Sequence, residues 1–264
     1  MAIARSTGLV DFVASKGSVR QALSNCRILL FGGAMPTGTG SADIGSGGVA
    51  ALCTLTSNGG LFTAEVLPKW RFTFSGSAGS IDSIKIGGVE QLAAPVPYAT
   101  SSANTAAAIA NAVNNSGAFP DYTAVVTGAS SDEVAVYGPV GCGDTLNSLT
   151  MAVTGTTLVA VVANSGAVET AGAPAINACN WQYVPATGQI SKESTAWSGT
   201  IGTTGTATWF MIATGSDTGT ATSTTNRRVI GSVGTSGADL NLSSASLTAG
   251  ASVTINSWTL TVSR

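Results

Sequence analysis

The sequence predicts a mainly β fold, in which a β-sandwich of Ig-like or jelly-roll-like type is interrupted by a small α+β domain. Short segments that alternate apolar and polar residues recur along the chain, and turns rich in Gly, Ser and Thr separate them. Only one segment has the apolar spacing of a long helix. The two ends of the chain share their composition and strand type, and the middle differs from both. We therefore expect residues 1–67 and 186–264 to form a split core domain with an N-terminal helical arm, and residues 68–185 to form the insertion.

The N-terminal segment predicts two short helical pieces followed by two buried strands. An apolar cluster over residues 9–13 indicates the first helical piece. Ser18 and Gln21 fit the S-x-x-Q capping box, which predicts a short helix over Val19–Ser24. The runs CRILLFGG (26–33) and VAALCTLT (49–56) are apolar at most positions, which is typical of strands that are buried on both faces.

The middle of the chain changes character after Pro68. KWRFTFSG (69–76) alternates strictly, with its three aromatic residues on one face, and SIKIGG (83–88) repeats the alternation before a Gly-Gly turn. Residues 101–117 carry Ala, Ile and Val at helical spacing, which predicts a helix. Three more strands follow it. The order of these elements indicates a separate α+β unit, in which the Ala-rich helix lies on a sheet.

The C-terminal segment returns to the strand type of the N-terminal one. GTATWFMIAT (205–214) is apolar on both faces, so we expect a central strand or one whose second face meets another subunit. RRVIGSV (227–233) predicts the next strand. In the last segment, Val253 and Ile255 keep one alternation phase, whereas a second set keeps the other: Trp258, Leu260 and Val262. A slip near residues 256–257 is what a β-bulge would produce.

The composition favours a protein whose surface is covered by other subunits. The chain has 11 basic and 13 acidic residues, a net charge of -2, and only 9% charged positions, against about 25% in an average soluble domain. Such a charge balance gives no basic surface for nucleic acid and weakly opposes self-association. We therefore expect a homo-oligomer of closed symmetry, with Trp209 and Met211 on its interface.

Arg227 and Arg228 are adjacent basic residues in a chain that has few charges. Alternation places them on opposite faces of one strand. Two interpretations remain open. In the first, both arginines are charged residues at a strand end that discourage edge pairing. In the second, one arginine pairs across a subunit boundary with a carboxylate such as Asp239 or Asp217 and fixes the register of a ring. Together with Trp209 and Met211, the residues Arg227, Arg228 and Asp239 are the candidate interface.

The inventory of catalytic residues is poor, and we expect neither an enzyme nor a cofactor site. Histidine is absent, which removes the commonest general base and metal ligand. The Gly-rich run GTGSADIGSGGVA (38–50) lacks the Gly-Lys and the helix of a phosphate-binding loop, so we interpret it as a flexible loop. Asp132 and Glu133 are adjacent and could meet Asp121 and Asp144 in space, but solvated turn carboxylates are the simpler interpretation. We therefore predict no metal site.

Signals for export or membrane insertion are missing from the sequence. Neither a signal-peptide core nor an apolar run of about 18 residues occurs. We expect a protein that remains in a cytoplasm and contacts neither membrane nor nucleic acid. In that reducing compartment Cys26, Cys53, Cys142 and Cys179 should be free thiols, of which Cys142, on a predicted loop, is the candidate for reactivity.

Three motifs resemble a family of small structural proteins of tailed bacteriophages. STGLVDFVASKGSVRQALSNCRILLFGG (6–33) is similar to the opening of that family, and AWSGTIGTTGTATWFMIAT (196–214) and VIGSVGTSGADLNLSSASLTAGASVTINSWTLTV (229–262) are similar to its closing half. The GSVGTSGADLNL run is its most specific motif. The chain departs from the family at LFGG (30–33), where the family has Y-S-G, and at Met211, where it usually has Arg. TAAAIANAV (105–113) resembles the helix of a β-α-β module that is common in phage tail and adhesive proteins.

The resemblance implies a virion structural protein, assembled in the bacterial cytoplasm and contacting copies of itself and other virion proteins of the portal, connector, tail or capsid. The first expectation is a ring-forming neck or collar protein at the head-to-tail junction, with the inserted domain projecting outward. A capsid decoration or tail surface protein is the second. A host- or sugar-binding module on the insertion is the third, in which Trp70, Trp181 and Tyr183 would stack on sugar rings, although core or interface positions are more typical of such residues.

Overall fold

The computed structural model describes residues 3–15, 17–37, 40–117, 121–128, 132–184 and 189–260. Val262 and the side chain of Tyr183 lie outside what it describes. The chain is mainly β, as the sequence predicts. Its contacts divide it into unit 1, which comprises Met1–Ala64 and Ala175–Arg264, and unit 2, which comprises Glu65–Pro174.

The elements follow one another in three groups along the chain. The first part of unit 1 contains β1 (Ala4–Arg5), α1 (Thr7–Ser15), α2 (Val19–Ala22), β2 (Cys26–Phe31), α3 (Ser41–Ile44) and β3 (Cys53–Ser57). Unit 2 contains β4 (Lys69–Ser75), β5 (Ser80–Ile86), β6 (Val89–Glu90), β7 (Val96–Pro97), α4 (Ser102–Asn114), β8 (Thr123–Thr127), β9 (Glu133–Tyr137), β10 (Met151–Thr156), β11 (Val159–Val162) and a turn at Ala163–Gly166, in which Asn164 and Ser165 have left-handed backbone conformations. The rest of unit 1 contains β12 (Trp181–Val184), β13 (Gln189–Lys192), β14 (Trp197–Thr200), β15 (Gly205–Thr206), β16 (Trp209–Thr214), β17 (Arg228–Gly234), β18 (Leu240–Asn241), β19 (Ser246–Leu247), β20 (Ser252–Ile255) and β21 (Thr259–Leu260).

The largest sheet of unit 1 has the strand order β1-β17-β16-β2-β3-β14-β20, with β18 paired to β17. β2 and β16 lie at its centre, and both strands are apolar at most positions because both faces of the sheet are covered along most of their length. The half-buried Arg27 of β2 is the charged exception. Residues 26, 28 and 30 of β2 belong to the main core, whereas Leu29 and Phe31 belong to a second core on the opposite face. The prediction of a strand buried on both faces is confirmed for β2, and β16 is a central strand, as expected. The same prediction is wrong for residues 49–56, because β3 begins only at Cys53 and the side chain of Thr54 is exposed.

Aromatic side chains fill the main core of unit 1. The Trp181 and Trp197 rings meet edge to face with centroids 4.9 Å apart, and Trp258 lies 5.1 Å from Trp181 and 4.9 Å from Phe210. These rings come from the large sheet, from the three-stranded sheet β12-β13-β21 and from the segment just before β21. One apolar cluster therefore joins the two sheets, and the Ig-like or jelly-roll-like sandwich stays a prediction.

The slip in alternation near residues 256–257 has another cause than the predicted β-bulge. β20 pairs with β14 in the large sheet, and β21 pairs with β13 in the three-stranded sheet. The chain thus leaves one sheet and enters the other between Ile255 and Thr259. Both alternation phases face the same core because the chain changes sheets, and Val253, Ile255, Trp258 and Leu260 are all buried in it.

Unit 2 has its own apolar core and two four-stranded sheets. The sheets are β10-β5-β6, to which β7 is added by pairing with β5, and β11-β4-β9-β8. The predicted helix is confirmed as α4, whose N-cap Ser101 accepts the amide of Asn104. Its buried face (Thr105, Ala106, Ile109, Ala110 and Val113) meets the three aromatic residues of β4 in one core.

A bent ribbon connects the two sheets of unit 2. β4 pairs with β11 in one sheet, and β5 pairs with β10 in the other. The chain passes from one sheet to the other between β4 and β5, and again between β10 and β11, and these two connections lie beside each other. Gly79 has φ of +95°, and a Cβ there would lie 1.9 Å from the carbonyl oxygen of Thr156. Glycine at this connection lets the backbone approach its partner strand so closely.

The unit boundaries lie at residues other than those expected. The structure divides the chain after Ala64 and after Pro174, whereas the composition predicts boundaries after residues 67 and 185. The segment that follows Pro174 belongs to unit 1 for two reasons. The backbone of Cys179 forms an antiparallel β-bridge with the backbone of Cys26, and β12 pairs with β13. The changes in composition at Pro68 and near residue 186 do not coincide with the changes in strand pairing, so composition alone does not mark these boundaries.

Candidate functional site

Arg228, a candidate interface residue, is fully buried within the chain. Its Nε donates to Asp217 Oδ2 at 2.6 Å and its Nη2 donates to Asp217 Oδ1 at 2.7 Å, so the pair is bidentate. Nη1 donates to the carbonyl oxygen of Asp43 at 3.2 Å. The hypothesis that Arg228 pairs across a subunit boundary is wrong for this residue, because its carboxylate partner lies in the same chain and neither side chain reaches the surface.

We call the buried cluster of Arg228, Asp217 and Asp43 the arginine centre. It also fixes the start of α1. Asp43 accepts the backbone amide of Thr7 at 2.8 Å and the Thr7 hydroxyl at 2.6 Å. Ser6 Oγ accepts the amides of Leu9 and Arg228 and donates to the Asn226 carbonyl oxygen, which makes Ser6 both an N-cap and a link to β17. A Cβ on Gly8 would lie 2.3 Å from the Thr225 carbonyl oxygen. Each residue of the Ser-Thr-Gly-Leu run at 6–9 therefore contributes to docking the N-terminal arm.

Trp209 and Met211 lie on the outer face of the large sheet, as alternation predicts, but the chain itself covers them. Trp209 stacks on Phe31 with ring centroids 4.3 Å apart, and Met211 is completely buried. Ala42 of α3 is buried in the same cluster, and further cover comes from residues before and after α3 and from β1: Ala4, Met35 and Ala51. These two residues are thus core residues in the single chain. The Gly-rich run at 38–50 supplies part of the cover, which differs from the expectation of a flexible loop.

The other two candidates make contacts within the chain. The Arg227 guanidinium carbon lies 5.0 Å from the centroid of the Phe12 ring, so Arg227 rests on α1. Asp239 Oδ2 accepts the amide of Ser232 at 2.8 Å and its hydroxyl at 2.7 Å, and the Asp239 carbonyl oxygen accepts the indole N–H of Trp258 at 3.0 Å. Asp239 therefore closes the loop between β17 and β18.

The outer face of the large sheet continues from this covered half into an exposed half that carries hydroxyl groups. We call it the hydroxyl face, and its residues are Thr54 and Thr56 on β3, Ser198 and Thr200 on β14, and Ser252 and Thr254 on β20. Ser198 lies opposite Thr56 and Thr254, and Thr200 lies opposite Ser252, so the six side chains form two rows across three strands. Apart from the buried Thr56, these side chains are exposed or half-buried.

A groove of about 450 Å³ lies at one side of the hydroxyl face. Its lining residues include Thr54, Thr56, Thr200, Arg27 and Phe62. The Arg27 guanidinium lies 4.8 Å from the centroid of the Phe62 ring and donates from Nη2 to the Asp217 carbonyl oxygen at 2.6 Å. The groove thus presents an aromatic ring and threonine hydroxyls, while its cation is already bound to backbone.

An arginine and a threonine hydroxyl hold the Glu133 carboxylate of the pair at 132–133. Glu133 Oε2 accepts Arg71 Nη1 at 2.7 Å, and its other oxygen accepts the Thr127 hydroxyl at 2.6 Å. Among the residues that the structure describes, no three His, Cys, Asp or Glu side chains lie together as a metal site. Burial raises the pKa of the half-buried Cys142 thiol to about 11, which disfavours its reactive thiolate form at neutral pH. Trp70 and Trp181 are buried and do not offer a ring face to a sugar.

Sequence reasoning missed Ser6, Thr7 and Asp43 as members of the arginine centre. A signal existed for the first two, because they stand in the STGL motif at the start of α1. Asp43 gave none, since it lies in a Gly-rich run whose composition indicates only a loop. Asp217 was named as a possible partner of the arginines, and the structure places it beside Arg228 in the same chain.

Comparisons with protein-family models, with curated proteins and with solved structures gave no match for this chain. Within the residues described, no helix has the length and apolar character needed to cross a membrane.

Proposed function

We propose that this protein is a structural component of a tailed-bacteriophage virion that forms a ring of identical subunits in the neck or collar at the head-to-tail junction. In this proposal it acts by subunit contacts and is not an enzyme. Its partners are copies of itself and the neighbouring portal, connector, tail or capsid proteins. The virion is its place of action, after assembly in the cytoplasm of the host bacterium.

The hydroxyl face is the observation that carries this proposal. It is a sheet surface of six Ser and Thr positions, in a chain with only 9% charged residues. Burying a surface of this kind against a second subunit leaves no unpaired charge, whereas each buried unpaired charge would cost several kcal/mol. We therefore propose the hydroxyl face as the subunit interface, in place of Trp209 and Met211, which the chain itself covers.

The resemblance to phage proteins gives the proposal its biological class. The most specific motif, GSVGTSGADLNL (231–242), has a structural role here: it runs through β17, the loop closed by Asp239 and β18. Leu240 and Leu242 of the motif are buried in the main core. STGL (6–9) likewise docks the N-terminal arm. Both motifs thus build the fold, which is consistent with a family of structural proteins.

Electron microscopy of phage particles that carry this protein tests the proposal. A gold-labelled antibody against the full chain should bind at the head-to-tail junction. Label spread over the capsid or along the tail would replace the neck proposal by the capsid decoration or tail surface alternative. Particles without any label would contradict a virion role altogether, provided that the antibody binds the purified chain.

A further inference from the structure

Cys26 and Cys179 lie directly opposite each other on two antiparallel chain segments of unit 1. The Cys26 amide donates to the Cys179 carbonyl oxygen at 3.1 Å, and the Cys179 amide donates to the Cys26 carbonyl oxygen at 2.7 Å. Residues that exchange both hydrogen bonds have Cα atoms about 5.5 Å apart. This separation lies within the span of about 4.4–6.8 Å that a disulfide bridges.

The two side chains share one environment. Directly opposed residues on antiparallel strands project from the same face, and both cysteines belong to the main core of unit 1. Cys26 Sγ lies 3.3 Å from the carbonyl oxygen of Cys179, so the first sulfur already reaches the backbone of the second residue. The remaining thiols are placed elsewhere: Cys53 Sγ contacts the Thr200 carbonyl oxygen, and Cys142 belongs to unit 2.

We propose that Cys26 and Cys179 are a redox pair, which closes to a reversible disulfide when the protein meets a small-molecule disulfide as oxidant. One cysteine thiolate attacks a sulfur of the oxidant and expels the first small thiolate, which leaves a mixed disulfide. The second cysteine then attacks the protein sulfur of that mixed disulfide and expels the second small thiolate. Two protein S–H bonds are lost and one S–S bond forms, and both electrons and both protons leave with the two small thiols.

The environment makes this reaction slow and its product easy to reduce. Burial raises the pKa of the Cys26 thiol to about 12 and raises that of Cys179 as well, so the thiolate is scarce at neutral pH. Hydrogen-bonded pairs hold their Cβ atoms farther apart than the roughly 3.8 Å of a relaxed disulfide. The resulting strain favours reduction, so the pair stays as thiols in a reducing cytoplasm and closes in an oxidising medium.

Oxidation of the full chain tests the pair. The protein is incubated with oxidised glutathione at pH 8.5, its free thiols are counted with a maleimide, and its peptides are mapped without reduction. We expect two of the four thiols to disappear, a peptide linking Cys26 to Cys179, and a higher melting temperature that returns to its starting value with dithiothreitol. The Cys53→Ser/Cys142→Ser double variant keeps both cysteines of the pair and should behave like the parent.

The controls make the outcome decisive. Cys26→Ala and Cys179→Ala should each abolish the linked peptide and the dithiothreitol-sensitive rise in melting temperature. If the double variant keeps two free thiols after prolonged oxidation, or carries only glutathione adducts, the proposal is overturned. A linked peptide that joins either cysteine to Cys53 or Cys142 in the parent, in preference to the pair, would overturn it as well.

Discussion

Arg228 and Asp217 form a buried ion pair in which each charge compensates the other. The guanidinium gives two hydrogen bonds to the carboxylate and one to a backbone carbonyl, and both side chains are almost completely shielded from water. Removing one member of such a pair leaves a buried charge without compensation. Replacing both members by apolar residues removes the desolvation penalty together with the attraction.

Arg228→Ala should therefore lower the free energy of unfolding by about 3–5 kcal/mol. Arg227→Ala is the matched control, because it removes a cation that rests on Phe12 and should cost only about 0.5–1 kcal/mol. Urea denaturation followed by tryptophan fluorescence measures both. The double variant Arg228→Met/Asp217→Leu should recover most of the loss. Equal effects of Arg227→Ala and Arg228→Ala would show that the buried pair does not stabilise the fold.

Glu90 makes the stability of unit 2 depend on pH in the acid range. Burial alone would raise its pKa, but donation from the Ser83 hydroxyl and from the amides of Ile84, Leu92 and Gln91 outweighs burial and lowers the pKa. Because the folded pKa lies below the unfolded value of 4.5, the stabilisation is present above that pH and is lost as the pH falls through the folded pKa.

Glu90→Gln should accordingly flatten the acid limb of the stability curve. The free energy of unfolding, measured in urea at pH values from 7 to about 3, should fall less steeply below pH 4.5 in the variant than in the parent. Asp144→Asn, at an exposed position of the same unit, serves as a control for the removal of one carboxylate. Parallel curves for the parent and Glu90→Gln would exclude the assigned pKa shift.

Some elements could be predicted from local sequence, and others depended on contacts distant in the chain. β4 and α4 follow directly from their periodicity, because one face of each is apolar and packs in a single core. The change of sheet between β20 and β21 could not be separated from a bulge, since both produce the same slip in alternation. Likewise, the burial of Trp209 and Met211 depends on residues near position 40, far away in the sequence.

The docking of α1 gives a prediction at the level of one element. Gly8→Ala should displace α1 from the strand connection at Thr225, although alanine favours helix more than glycine does, because the new Cβ would lie 2.3 Å from a backbone oxygen. Amide hydrogen exchange in residues 8–15 should become faster. Gly202→Ala, whose Cβ meets nothing closer than 3.8 Å, should leave exchange unchanged. Unaltered exchange in Gly8→Ala would refute the close docking of the helix.

At the scale of the whole chain, the two units each have their own core, and the ends of unit 1 that flank unit 2 lie side by side. Thr63 and Ile176 exchange two hydrogen bonds of 3.1 and 3.0 Å, so their Cα atoms are about 5.5 Å apart. A linker of about three residues can span such a distance.

Replacing Glu65–Pro174 by a short Gly-Ser linker should leave unit 1 folded, because its core residues all lie outside the deleted segment. Near-ultraviolet circular dichroism reports the packing of Trp181, Trp197 and Trp258 and should keep its signal. A linker of the same composition inserted between Ala64 and Glu65 of the full chain is the control. Loss of the tryptophan signal in the deletion alone would show that unit 1 needs unit 2 to fold.

Self-assembly through the hydroxyl face is the central claim at this scale, and sedimentation velocity of the purified full chain measures it most directly. We expect one discrete oligomer whose mass is an integer multiple of the 26.0 kDa chain. Thr200→Lys should dissociate it by placing a charge on the face, whereas the exposed Val159→Lys of unit 2 should leave it intact. A strict monomer at high concentration, or an oligomer that Thr200→Lys does not weaken, would contradict the account.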